Sequence, residues 1–147
     1  MIIKIKNKPV FLRLAFVLYI LLYLNACAQW LGFPAYYDAT TYKQLTDLKP
    51  RVLNLYDKFT GEQTDQGKIE DIFLKFDQMY EYERGKGIKN VETYSQIDII
   101  RKMFRRQVSD RLQNGIWSEA HMLNQKENIG AAFDIAIQTE YLKNKNI

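Results

Sequence analysis

The chain is poor in residues that cross-link a protein or supply acid–base chemistry. Cys27 is the only cysteine among 147 residues, so no disulfide bond can form within the chain. His121 is the only histidine, and a histidine-based metal or catalytic site would have to be built around it. We interpret His121 as a surface or structurally satisfied residue, and we predict no catalytic residue, no metal and no cofactor.

Several motifs of cofactor chemistry are also missing. Covalent haem needs Cys-x-x-Cys-His, di-iron bundles need Glu-x-x-His on two helices, and a phosphate-binding loop needs glycines followed by Lys-Ser or Lys-Thr. None of these patterns occurs in the sequence. The sequence therefore favours a non-enzymatic protein over an enzyme.

The excess of positive charge lies at one end of the chain. The net charge is +4, but four of the 21 basic residues lie before Leu14, and all 17 acidic residues follow Cys27. The remainder has 17 basic and 17 acidic residues, so its net charge is zero. We therefore predict no binding to nucleic acid, because such proteins depend on a basic surface.

A basic head and an apolar run open the chain. Lys4, Lys6, Lys8 and Arg13 precede the run, which extends over the 11 residues 14–24. A bilayer-spanning helix needs about 20 apolar residues. The order of basic, apolar and small residues predicts an export signal over residues 1–26 that is removed. A single-pass protein with an uncleaved N-terminal anchor is an alternative.

The end of this run, Leu24-Asn25-Ala26-Cys27, resembles the lipobox of bacterial lipoproteins. The resemblance covers only the first 27 residues, and asparagine is unusual at its second position. It implies cleavage before Cys27 and attachment of lipid, including palmitate, to that cysteine. Because Ala28 rather than aspartate follows the cysteine, it also implies the outer membrane, with the domain facing the periplasm.

A second cleavage site overlaps the first. Ala26-Cys27-Ala28 fits the small-residue rule of the general signal peptidase. Cleavage there would release a protein that begins at Gln29, and the function would then be that of a soluble periplasmic helical ligand-binding protein.

Residues 27–39 are predicted to form a tether. They contain Trp30, Phe33, Tyr36 and Tyr37 and are interrupted by glycine and proline. Tryptophan and tyrosine favour the membrane–water interface, because one end of each side chain is apolar and the other polar. Packing of these aromatic side chains onto the domain is equally compatible with the sequence.

Residues 40–147 are predicted to form an all-α, up-and-down bundle of about four helices. The first helix should begin with a capping box at Thr41, continue past a kink at Pro50 and end at Thr60-Gly61. The second should span residues 65–84, with Glu83 on its acidic outer side. Asn90 and Ser118 should cap the third and fourth helices, with a break near Asn128 possible. The predicted inward positions of the last two helices are Tyr94, Ile97, Ile100, Phe104, Val108, Leu112, Met122, Leu123, Ile129, Phe133, Ala136, Ile137 and Tyr141.

One cluster of basic residues lies on the third helix: Arg101, Lys102, Arg105 and Arg106. It can contact lipid headgroups or an acidic partner. The simpler interpretation, which we favour, is a solvated face whose cations pair with acids of the second helix. Taken together, the sequence predicts a membrane-anchored envelope lipoprotein with a helical protein-binding or structural domain. An envelope protein of unknown identity is its expected partner.

Overall fold

The structure, a computed structural model, describes residues 36–144, and this part of the chain contains four α-helices. They are α1 (Ala39–Asp57), α2 (Gln66–Gly85), α3 (Val91–Asn114) and α4 (Glu119–Asn144). A 3₁₀ turn over Lys58–Thr60 follows α1, and another over Ile88–Asn90 precedes α3. The predicted all-α bundle is confirmed.

Each helix runs antiparallel to the next, and α4 closes the bundle against α1. Two ion pairs show this for α1 and α4: Lys49 Nζ lies 2.5 Å from Asp134 Oδ1, and Lys126 Nζ lies 2.5 Å from Asp57 Oδ1. Residue numbers therefore rise along one helix as they fall along the other. Contacts between the other neighbouring helices show the same antiparallel order. They are Thr41–Glu83 and Arg51–Asp71 for α1 and α2, Asp77–Arg101 and Phe73–Phe104 for α2 and α3, and Gln96–Thr139 and Gln107–Gln125 for α3 and α4.

Aromatic rings fill the centre of the bundle. The Phe104 ring centroid lies 4.9 Å from that of Phe73, 5.5 Å from that of Phe76 and 6.2 Å from that of Tyr56. Phe76 in turn contacts Phe133 of α4, with 5.9 Å between centroids. Offset and edge-on ring pairs of this kind contribute beyond the area that they bury. These rings join all four helices at the middle of the core.

Three side chains that were predicted to point inward are exposed. Leu112, Leu123 and Tyr141 have exposed fractions of 49%, 55% and 40%. Arg111 and Glu140 are buried instead, and each is adjacent in sequence to one of the three. At Leu112 and Tyr141, near the ends of α3 and α4, a paired polar side chain therefore takes the inward position that the hydrophobic pattern assigns to its neighbour.

The ends of the helices also differ from the prediction. Asp38, not Thr41, caps α1, because the Asp38 carboxylate accepts the Thr40 N–H at 2.7 Å. Asn90 precedes α3 without a side-chain cap bond. Ser118 does cap α4, since its Oγ accepts the His121 N–H at 3.2 Å. No capping box forms at Thr41, whose side chain is buried.

Neither Pro50 nor the stretch near Asn128 interrupts its helix. Pro50 lies inside one continuous α1, which confirms the prediction of a single helix there. The break near Asn128 that the sequence left possible does not occur, because α4 runs unbroken from Glu119 to Asn144. Gly130 is buried in this stretch and faces Leu53 of α1. Packing against α1 therefore supports the helix where glycine alone would weaken it.

A clamp closes the end of the bundle where α1 and α3 finish. The Arg111 Nε donates to the Phe59 carbonyl at 2.8 Å, and the Trp117 backbone N–H donates to the same carbonyl at 3.1 Å. The Trp117 ring lies edge-on to Phe59, with 4.9 Å between centroids.

Within residues 36–144, none of the helices combines the length and the apolar character that crossing a bilayer requires.

Candidate functional site

A layer of buried polar side chains lies at the opposite end of the bundle, where α1 and α3 begin and α2 and α4 finish. At this end, each helix supplies one fully buried polar side chain. These are Thr41, Glu83, Thr93 and Glu140, each with an exposed fraction of 0%. We call these four residues, together with Lys86, Asn90 and Lys143, the polar layer. Buried carboxylates are rare unless they are paired, so the partners of the two glutamates determine what this layer does.

Glu83 is held from three directions. Its Oε1 accepts hydrogen bonds from the Thr41 hydroxyl and from Lys86 Nζ, the latter at 2.6 Å. Its Oε2 accepts a hydrogen bond from the Asn90 side-chain amide. Lys86 Nζ also donates to the Thr41 hydroxyl at 3.0 Å. The carboxylate therefore joins α1, α2 and the turn before α3, and it was wrongly predicted to lie on the outer side of α2.

Glu140 has an equivalent set of partners. Its Oε2 lies 2.7 Å from Lys143 Nζ and accepts the Thr93 hydroxyl at 3.4 Å. Its Oε1 accepts the backbone N–H of Asp38 at 2.7 Å. Lys143 Nζ further donates to Asn90 Oδ1 at 2.9 Å and to Thr93 Oγ1 at 2.5 Å. All three protons of this ammonium group are used.

The two halves of the polar layer repeat one pattern. In the α1–α2 hairpin, Thr41 meets the Glu83-x-x-Lys86 pair, and in the α3–α4 hairpin, Thr93 meets the Glu140-x-x-Lys143 pair. Asn90 joins the halves, because it donates to Glu83 and accepts from Lys143. We infer that the layer fixes the register of the four helices, since sliding any one of them would leave a buried charge without its partner.

Asp38 fixes the N-terminal segment to the polar layer. Besides capping α1 and donating its N–H to Glu140, it accepts hydrogen bonds through Oδ2 from Lys86 Nζ at 2.6 Å and from the Tyr82 hydroxyl at 2.7 Å. The chain therefore enters the bundle through a residue that is bonded to α2 and α4 as well as to α1.

The electrostatics of Asp38 make this junction sensitive to pH. Burial raises the pKa of its carboxyl, but hydrogen bonds from Lys86, Tyr82 and the Thr40 backbone outweigh burial and hold that pKa well below its ordinary value. A carboxyl with a lowered folded-state pKa stabilises the fold above its unfolded-state pKa, and this stabilisation is lost as the pH falls.

We expect Asp38→Asn to reduce the free energy of unfolding by about 1–2 kcal/mol at pH 7, since asparagine keeps the cap but loses the charge that binds Lys86. The difference from the parent should shrink as the pH falls below about 4, where the unfolded-state carboxyl becomes protonated. Denaturant titrations at several pH values measure it. The exposed Asp47→Asn is the control and should change stability little at any pH; a constant deficit for Asp38→Asn down to pH 2 would contradict the assignment.

The outer surface of this end carries a shallow cleft of about 340 Å³ beside the entry of the chain. Tyr36 lies at its edge and is 82% exposed, whereas Tyr37 is half-buried and packs against Tyr42 with 6.2 Å between ring centroids. Tyr37 therefore packs onto the domain, whereas contact of Tyr36 with the membrane–water interface stays a prediction. Cys27, Trp30 and Phe33 lie outside the described residues.

The predicted basic cluster lies on the side of the bundle, away from the polar layer. Arg101 Nη1 and Arg105 Nη2 lie 2.9 and 2.8 Å from Asp77 of α2, which confirms the predicted pairing with acids of that helix. Lys102 pairs with Asp98 of its own helix at 2.6 Å. The Arg101 guanidinium also lies 4.2 Å from the centroid of the Tyr80 ring. Arg106 is exposed, and contact of this cluster with headgroups or a partner stays a prediction.

His121 packs against Trp117 and lies beside Asp110. Its ring lies edge-on to Trp117, with 4.8 Å between centroids, and its Nε2 lies 3.4 Å from Asp110 Oδ2. Trp117 Nε1 donates to the same carboxylate at 2.8 Å. Over residues 36–144, no group of three or more histidine, cysteine, aspartate or glutamate side chains is arranged to hold a metal ion.

Sequence reasoning did not find the polar layer. A signal was present, because Glu-x-x-Lys occurs where α2 ends and again near the end of α4. On a helix surface such pairs usually face solvent, so the motif alone does not indicate burial.

Comparison of the chain with protein-family models, with curated proteins and with solved structures found no match.

Proposed function

We propose that this chain is an envelope lipoprotein whose helical domain is held at the membrane by lipid on Cys27. The observation that carries the proposal is the basic head and the 11-residue apolar run, which are followed three residues later by Cys27, the only cysteine of the chain. Lipid attachment supplies a reason for a lone cysteine in an exported protein. One acyl chain binds a membrane only marginally, whereas two or more anchor a protein firmly.

The entry point of the chain into the bundle determines which end of the bundle this anchor would hold. Tyr36 is the ninth residue after Cys27, and a fully extended chain of nine residues reaches about 30 Å. Asp38 then binds the polar layer through its backbone and its side chain. Lipid on Cys27 would therefore hold the polar end of the bundle near the bilayer. The proposed location is the outer membrane, with the bundle in the periplasm.

The buried charged side chains of the bundle hold its helices together, and this supports a binding or structural role. Glu83 and Glu140 join helices at one end, and Arg111 binds the carbonyls of Phe59 and Gly61 at the other. These contacts build the scaffold. The proposed partner is an envelope protein, and exposed cations on α3, among them Lys102 and Arg106, are the proposed contact. Crosslinking in cells followed by mass spectrometry would identify it.

Cys27→Ser tests the anchor. We expect this change to stall processing or to release the domain from membranes, because serine accepts no lipid at this position. Fractionation of cells with detection of the chain by size measures both outcomes. Asn25→Ala is the control, since it leaves the alanine–cysteine pair intact, and it should fractionate like the parent. A processed Cys27→Ser protein that stays fully in the membrane fraction would count against lipid anchoring.

A further inference from the structure

The apolar side chains that the bundle exposes are concentrated at the polar end. Ile88 is 86% exposed and Tyr36 is 82% exposed, and no other large hydrophobic side chain of residues 36–144 exceeds the 59% of Ile135. Six of the twelve exposed large hydrophobic side chains of this part of the chain lie at this end: Tyr36, Tyr82, Ile88, Val91, Tyr141 and Leu142. Scattered apolar residues are normal on a surface, whereas a group at one end indicates an interaction site.

The turn that carries Ile88 is held firmly by the polar layer. Gly87 has a φ of 82°, which glycine adopts without strain and other residues rarely adopt. The Asn90 N–H donates to the Gly87 carbonyl at 3.0 Å, and the buried Asn90 side chain binds Glu83 and Lys143. Ile88 is therefore presented outward by a bonded turn between two anchored residues.

The charges at this end suit a surface that approaches lipid. The carboxylates of Glu83, Glu140 and Asp38 each accept a hydrogen bond from a lysine of the layer. Lys86 Nζ lies 4.3 Å from the centroid of the Tyr82 ring, so an ammonium group and an aromatic ring lie together at this surface. Tyrosine and lysine beside exposed aliphatic side chains are the composition of the membrane–water interface.

We propose that this end of the bundle docks directly on the bilayer surface, with Ile88, Tyr36 and Val91 among the headgroups. This inference rests on the proposed lipid anchor at Cys27. Lipid is the occupant because nine residues after the anchor reach only about 30 Å, while the 26 residues of α4 extend about 39 Å. The opposite end of the bundle therefore cannot rest on the bilayer, and the end at which the chain enters faces it.

A fluorescent label at position 88 tests the docking. The full chain with Ile88→Cys is purified from membranes, labelled with an environment-sensitive thiol dye and placed in vesicles of phosphatidylethanolamine and phosphatidylglycerol. We expect spin-labelled phospholipids to quench this dye about twofold, because a docked side chain would lie in the headgroup region. The matched control is Ile135→Cys, an exposed isoleucine on the side of α4, whose dye should not be quenched.

A second pair of variants separates docking from mere nearness to the vesicle. A dye on Val91→Cys should also be quenched, and adding Ile88→Asp should abolish that quenching, whereas adding Ile135→Asp should leave it unchanged. Because Ile88 and Ile135 are both exposed, neither aspartate places a charge in the core. Circular dichroism of the labelled proteins confirms that the helices remain.

The possible results distinguish the docking from the anchor. A protein that carries one dye and floats with the vesicles, but whose dye at position 88 is not quenched, would overturn the docking and leave the anchor intact. Two dyes per chain and no flotation would mean that Cys27 bears no lipid, and would overturn the proposed function itself. A dye that is shielded from water but not quenched by lipid would mean that a second copy of this chain covers this end, and would also overturn the docking.

Discussion

Phe104→Asp should unfold the bundle. The Phe104 side chain is fully buried and contacts the rings of Tyr56, Phe73 and Phe76. Removing a buried phenylalanine costs about 3–5 kcal/mol through lost contacts and the cavity left behind. A charge placed there without a partner costs several kcal/mol more. The sum is comparable to the whole stability of a domain of this size, about 5–15 kcal/mol. Circular dichroism should show a large loss of helix and no cooperative melting.

Leu112→Asp is the matched control, because it makes the same kind of change eight residues further along α3. Its side chain is 49% exposed, so we expect a change within about 0.5 kcal/mol. The pair is informative because the hydrophobic pattern alone places both residues in the core. If Leu112→Asp unfolds the protein as Phe104→Asp does, the orientation of this end of α3 is wrong.

Glu140→Ala should be the most damaging change outside the hydrophobic core. It leaves the ammonium group of Lys143, whose side chain is only 10% exposed, without its counter-charge. It also removes the acceptor of the Asp38 N–H, which ties the N-terminal segment to α4. Breaking a buried ion pair from one side costs about 3–5 kcal/mol. Chemical denaturation should show a loss of that size.

A second substitution identifies the source of this loss. Adding Lys143→Ala to Glu140→Ala removes the stranded charge, so the double variant should be more stable than Glu140→Ala alone. The control is Glu127→Ala on the exposed side of α4, which should leave stability within about 0.5 kcal/mol of the parent. Equal effects of Glu140→Ala and Glu127→Ala would contradict the burial of the pair.

The fold was predictable because its helices are long and their apolar stripes regular. Ile97, Ile100 and Phe104 recur at helical spacing and all lie in the core. The prediction failed where a polar residue takes an inward position near a helix end. Arg111 and Glu140 are inward, and their neighbours Leu112 and Tyr141 are exposed, because contacts that are distant in sequence satisfy the buried charges. Periodicity cannot detect such contacts.

The polar layer depends on the same distant contacts. Thr41 meets Glu83 across 42 residues, and Thr93 meets Glu140 across 47. The sequence indicates an Asx, serine or threonine near the start of each helix, but it does not distinguish a cap from a partner of a buried carboxylate. Asn90 shows the difference, because its side chain serves the layer instead of the helix end. The pairing of the basic cluster was easier to predict, since exposed cations of one helix commonly form ion pairs with acids on an adjacent surface.

The central claim is that lipid on Cys27 anchors the bundle, and the intact mass of the mature chain tests it most directly. We expect the chain purified from membranes to begin at Cys27 and to be heavier than its amino-acid sequence by the mass of the attached acyl chains. An unmodified chain that begins at Gln29, or an uncleaved one that keeps Met1 and a bare Cys27 thiol, would contradict the account.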